Sequence, residues 1–152
     1  MSAKAPEVTE QQVQEDLLRL EAYRNQLNSA LQQHQILTAS RQDHLRARES
    51  LDGVESAPAA AELLLPLGGE AYVRGSVDRN APVLIGIGSG VVVEMERPKV
   101  AELISQRVGR IDQAVRDLEG QMTTLDERIQ ILTRRLDAIA RSSAGGPDVG
   151  GH

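Results

Sequence analysis

The sequence predicts a mainly α chain with a small β region: two long helices folded back antiparallel as a coiled coil and joined by two β-hairpins. Three observations carry this. A nearly unbroken heptad ladder fills the C-terminal part, a less regular ladder fills the N-terminal part, and the segment between them turns to β-branched runs spaced by glycine. The composition agrees: 152 residues contain two Tyr and no Phe, Trp or Cys. A ball-shaped core of this length ordinarily uses aromatic bulk, so a paired-helix arrangement suits this chain better.

The elements follow in order. Residues 1–7 read as a loose polar arm, since Pro6 disfavours helix before it. Helix 1 is predicted over residues 8–53. Thr9 and Gln12 have the spacing of a capping box, which would trim its first residue or so. Val13, Leu20 and Leu27 form one column of its ladder, and Leu17, Leu31 and Leu45 the other. Arg24, His34, Thr38 and Arg41 interrupt these columns. Tyr23, Ala30, Leu37 and Leu51 lie on a neighbouring column, as a local stutter would produce. Gly53 and Pro58 are expected to stop the helix.

The hairpin region is predicted over residues 62–96. Leu63 to Leu67 is a short apolar run, and Pro66 within it suits an edge or a strand end. Gly68-Gly69 reads as a turn, and Ala71 to Val77 alternates like a half-exposed strand. After a loop at Asp78 to Pro82, Val83 to Ile87 and Val91 to Met95 read as two strands about the tight turn Gly88-Ser89-Gly90. Two hairpins alone are marginal in water. Their apolar residues therefore predict assembly with the same element of other chains.

Helix 2 is predicted over residues 98–141. Pro98 suits a first helical turn, although Arg97 is a poor cap before it. Ile104, Ile111, Leu118, Leu125, Leu132 and Ile139 form one column, and Val108, Val115, Met122, Ile129 and Leu136 the other. Alternating steps of three and four keep both on one stripe facing a partner helix. Each helix would run to about 65 Å at 1.5 Å per residue. Folded back, they place Val13 near Ile139, Leu20 near Leu132, Leu27 near Leu125 and Leu45 near Arg107. Residues 142–152, rich in Gly and Ser, are expected to be a disordered tail.

Several functions find little support. A net charge of −5 gives no reason for nucleic-acid binding. The arginines at 41, 46 and 48, and at 134, 135 and 141, lack interleaved aromatics and read as solvated helix faces. No apolar run approaches the ~20 residues of a membrane span. The segment MSAKAPEVTEQQ has no apolar signal region, so a cytoplasmic protein is expected. Gly86-Ile87-Gly88-Ser89-Gly90 precedes a strand, whereas a phosphate loop opens a helix. His34 and His44 lack the converging partners of a metal site; His34 reads as a polar notch against Leu118. No cysteine nucleophile exists, and Glu15 with Asp16 or Glu94 with Glu96 line no evident pocket. No enzyme activity, cofactor or metal is expected.

One further pattern is carried by the whole order of elements. A helix precedes Leu64-Leu65-Pro66-Leu67-Gly68 and Ala71-Tyr72-Val73-Arg74-Gly75. Then come Val83-Leu84-Ile85-Gly86-Ile87-Gly88-Ser89-Gly90-Val91-Val92-Val93-Glu94 and a second helix. This resembles the α-type subunit of prefoldin from about Thr9 to Arg141, with two hairpins where β-type subunits carry one. The resemblance implies one prefoldin-like domain within a hexamer of two α and four β subunits. The strands would build a β-barrel platform, and the coiled coils would hang from it. It also implies an ATP-independent chaperone that captures unfolded polypeptides at the coiled-coil tips and passes them to a group II chaperonin.

On that basis Leu65, Leu67, Tyr72, Val73, Val83, Ile85, Val91 and Val93 are the expected assembly residues. Leu18 and Ile131 fall beside the seam at about the same level, and Val8 and Ile139 extend that patch. Together with Val13, Leu17, Leu132 and Leu136 they form the expected client-binding set. The alternative is a structural coiled-coil adaptor that binds one defined folded partner.

Overall fold

The computed structural model describes residues 7–145. The N-terminal arm through residue 6 and the tail from residue 146 lie outside them. The order is helix α1 (Glu10–Ser56), strands β1 (Glu62–Gly68), β2 (Ala71–Ser76), β3 (Val83–Gly88) and β4 (Val91–Met95), and helix α2 (Arg97–Ala144).

The helix ends differ from expectation for local reasons. The capping box forms: the Gln12 amide N–H donates to Thr9 Oγ1 at 3.3 Å, and the Thr9 N–H to Gln12 Oε1 at 3.1 Å. Helix α1 therefore begins at Glu10 and not at Val8. Gly53 does not end it. The Ala57 N–H reaches the Gly53 carbonyl, and Arg79 donates to the carbonyl of Ala57, covering an end that Pro58 then closes. At α2, Glu96 and not Arg97 holds the cap position, because the Glu96 carbonyl accepts the Val100 N–H at 3.1 Å. At the other end, Ser142 and Ser143 are helical, not tail, and their hydroxyls donate to the Ile139 carbonyl.

The chain divides into two compact units. In the first, residues up to Ile36 pair with residues from Val115 onward. The helices run antiparallel here: Asp16 meets Arg135, Tyr23 carries the Arg128 guanidinium 5.7 Å from its ring centre, and His34 bonds Glu119 at 3.0 Å. These contacts bracket the expected neighbours Leu20 with Leu132 and Leu27 with Leu125. Leu20, Ala30, Leu118 and Leu132 are buried.

The seam of α1 is straighter than its leucines suggested. Among its shielded residues, Val13, Asp16, Leu20, Tyr23, Leu27, Ala30, His34, Leu37, Arg41 and His44 alternate steps of three and four, with Ser40 and Leu45 shielded beside them. The second column thus runs through Asp16 and Tyr23, one residue before Leu17 and Arg24. Leu17, Leu31, Arg24 and Thr38 are exposed. A polar residue at the seam hid this register: Asp16 is only 4% exposed. Arg135 Nε lies 3.1 Å from Asp16 Oδ2 but not along a hydrogen-bonding direction, so the contact is an ion pair.

The second unit, Leu37–Ala114, holds the hairpins and the adjoining helix segments. Arg41 pairs with Asp112, and Arg48 donates to the Ser105 hydroxyl, so these segments are also antiparallel and bracket Leu45 and Arg107. The polar notches in α1 are therefore answered on α2, which penalises slipped registers. Val100 and Ile104 are buried. Each pair of strands makes its own two-stranded antiparallel sheet, β1 with β2 and β3 with β4.

Candidate functional site

Both hairpins close by the same chemistry. Gly69 and Glu70 connect β1 to β2 with φ of 57° and 63°, and Ser89 and Gly90 connect β3 to β4 with φ of 52° and 77°. Two successive positive φ values make the tight turn whose twist matches paired strands. Just before each turn the register slips between Pro66 and Gly68, and between Gly86 and Gly88. Leu67 and Ile87 are the extra residues of these bulges, and both are exposed. The first turn lies one residue later than Gly68-Gly69, and the second falls where expected.

Strand alternation gives each hairpin two faces. On the second, Val83, Ile85, Val93 and Met95 are half-buried, because this face turns to the helices. It borders a groove of about 440 Å³ against Leu51, Val54, Val100 and Ile104. Arg107 ties the strand down by donating to the Gly86 carbonyl. The opposite face carries Leu84 and Val92, 66% and 60% exposed. On the first hairpin Leu65 and Val73 are partners, and Leu65 lies so close over Gly75 that a Cβ there would sit 2.8 Å from its Cδ1. Leu64 and Tyr72 project from the other face.

Of the expected assembly residues, Leu65, Leu67, Tyr72, Val73 and Val91 are exposed, while Val83, Ile85 and Val93 face the helices. Sequence reasoning missed Leu64, Leu84, Ile87 and Val92. The signal was present, since both faces of these runs are apolar, a pattern that fits only strands covered on both sides. Neither sheet bonds to the other, so every outer strand edge is unpaired among the described residues.

The helical set divides as well. Val8, Leu17, Leu18 and Ile131 are exposed; Val13, Leu136 and Ile139 are half-buried; Leu132 is buried in the seam. Leu132 therefore packs the helix pair and offers nothing to a client while the pair is closed. Exposed Ile36, one residue before the seam position Leu37, was also missed.

No group of three or more potential metal ligands occurs among the described residues. His34 is held by Glu119, and His44 Nδ1 lies 2.7 Å from the Ser40 carbonyl. No described helix is long and apolar enough to cross a membrane.

Paired helices joined by two open hairpins define a class of protein that known relatives share. The family model for Prefoldin, described as prefoldin subunit, matches residues 23–142. A prefoldin subunit alpha from Methanopyrus kandleri is 30% identical over 114 residues, covering 72% of this chain and 73% of its own length. One from Archaeoglobus fulgidus is 25% identical over 130 residues, covering 86% and 95%. Among solved structures, a filamentous PFD from Methanocaldococcus jannaschii superposes with a TM-score of 0.65 at 19% identity, over 76% of this chain and 96% of that one. The prefoldin beta subunit from Thermococcus strain KS-1 gives 0.56 at 22% identity, over 94% and 100%. The chain belongs to the prefoldin family. Within that family it is of the α type, the type of its curated relatives.

Proposed function

We propose that this chain is the α-type subunit of an ATP-independent holdase working in the cytoplasm. It joins β-type subunits, two α with four β, through its hairpins. The finished particle captures unfolded polypeptides on the coiled-coil ends and delivers them to a group II chaperonin. The chain performs no chemistry in this reading.

The observation that carries the assembly step is the pair of hairpins, each apolar on its outward face and unpaired along its edges. Such surfaces are costly in water and are satisfied by strands of other chains. Support for the client step comes from Leu17, Leu18 and Ile131, which stand exposed on the helix pair. Burying one such side chain contributes ~1.5–3 kcal/mol. One subunit would therefore grip weakly, without sequence preference, and several acting on one client would grip usefully.

The test is Leu18→Ser with Ile131→Ser in the reconstituted particle, read as suppression of aggregation of two unrelated denatured proteins. Assembly should persist while suppression falls several-fold. Undiminished suppression would remove these residues from the grip. A wild-type chain that binds a single folded partner and slows no aggregation would instead be an adaptor.

A further inference from the structure

One stretch of α1 is unlike the rest of a chain that is 26% charged. Residues 25–40 hold no Asp, Glu, Lys or Arg, and Asn25, Gln26, Asn28, Gln32, Gln33 and Gln35 lie among them. On α2, residues 120–125 are uncharged as well. The Tyr23–Arg128 contact and the His34–Glu119 bond bracket the part where these two stretches face each other.

A groove of about 410 Å³ lies there, with Ala30, Leu118 and Leu125 as its apolar floor and the exposed Gln26, Gln33 and Gln121 at its edges. A second hollow of about 370 Å³ continues it past Gln26 and Gln121 to Thr124 and Arg128. Gln11, Gln12 and Gln130 each bond a residue three or four positions away. The side chains of Asn25, Gln26, Gln33 and Gln121 have no hydrogen-bond partner among the described residues. A primary carboxamide offers two donors and an acceptor, the same groups as a peptide bond. Gln26 and Gln33 stand about 10.5 Å apart along α1, the length of about three residues of extended chain.

We infer that this groove binds the main chain of an extended polypeptide, with Gln26, Gln33 and Gln121 bonding its peptide groups over the apolar floor. This rests on the reading that the particle captures unfolded polypeptides, and it adds a second foothold, about 24 Å along α1 from Glu10, that reads backbone and not side chains. A folded helix could not use it, because its own peptide groups are bonded internally. An unfolded segment brings free N–H and C=O groups whatever its sequence. The lack of charge suits the same task, since clients of either sign enter without repulsion.

The test uses the reconstituted particle and a twelve-residue uncharged peptide of Leu, Ala and Ser with a photoreactive group at its centre. A second peptide is identical but N-methylated at alternate peptide bonds, which removes donors and adds apolar surface. The first should cross-link within residues 25–33 and 120–128, and the second at least about 5-fold less, since several bonds are lost. Gln26→Met with Gln33→Met and Gln121→Met keeps length and helix propensity; it should lower cross-linking of the first peptide to the level of the second, with an unchanged far-UV circular dichroism spectrum. Equal labelling by the methylated peptide on the wild-type particle would overturn the inference even if the triple variant failed to fold. A folded triple variant that labels as well as wild type, or labelling confined to the neighbourhood of Leu18 and Ile131, would also overturn it. Each of these results leaves apolar capture at the helix ends in place. A wild-type particle that cross-links neither peptide and slows no aggregation would overturn both.

Discussion

The buried Asp16 gives the sharpest prediction, because two substitutions at one contact should move stability in opposite directions. Arg135→Ala removes the cation beside a carboxylate that is 4% exposed. Breaking a buried pair from one side costs about 3–5 kcal/mol. Arg135 is itself 49% exposed, which places the expected loss near the lower end, about 3 kcal/mol. Asp16→Leu removes the charge instead and completes an apolar run between Val13 and Leu20. Arg135 then swings into solvent at little cost. Burying the new side chain would contribute ~1.5–3 kcal/mol, partly offset by imperfect packing, so the net change is a gain of about 1 kcal/mol or none. The double variant should be no less stable than Asp16→Leu. Urea unfolding of the chain measures all three, and amide exchange over α1 from Glu10 to Leu27 localises the effect. If Asp16→Leu proves as damaging as Arg135→Ala, then Asp16 is not enclosed by the seam, and the register described for α1 is wrong.

Two further predictions follow from burial and backbone geometry. Leu132→Ala should cost about 2–4 kcal/mol by opening a cavity in the seam, whereas Leu18→Ala should stay within about 0.5 kcal/mol in the same unfolding experiment. Glu70 is held at φ 63°, where a side chain with a Cβ is strained. Glu70→Gly should raise the melting temperature of the assembled protein by the equivalent of about 1 kcal/mol, and Gly90→Ala, at φ 77°, should lower it.

Most of the architecture was legible because periodicity is robust where one face is consistently apolar. Helix α2 obeys this from Ile104 to Ile139, and its boundaries came within three residues of those observed. Helix α1 resisted because its seam mixes Leu20 and Leu27 with Asp16, His34 and Arg41, each answered by a polar group on α2. A count of apolar residues favours Leu17 and Leu31 over Asp16, and only the partner helix reveals the choice. The hairpins were legible from Gly68-Gly69 and from Gly88 and Gly90, which take up the positive φ that such turns need, although Glu70 and Ser89 also adopt it. Which face of β3 meets the helices was not legible, because Val83, Leu84 and Ile85 are equally apolar and alternation gives no sign. The same ambiguity hid Leu84 and Val92 from the expected assembly set.

The central claim is that strands left open on this chain are completed by strands of other subunits. Native mass spectrometry of the chain co-expressed with a β-type prefoldin subunit tests it most directly. The account predicts one dominant six-chain species with two copies of this chain, which persists when α1 and α2 are shortened by removing residues 1–20 and 132–152. A chain that stays monomeric beside its partner, or a particle that falls apart on that trimming, would contradict it.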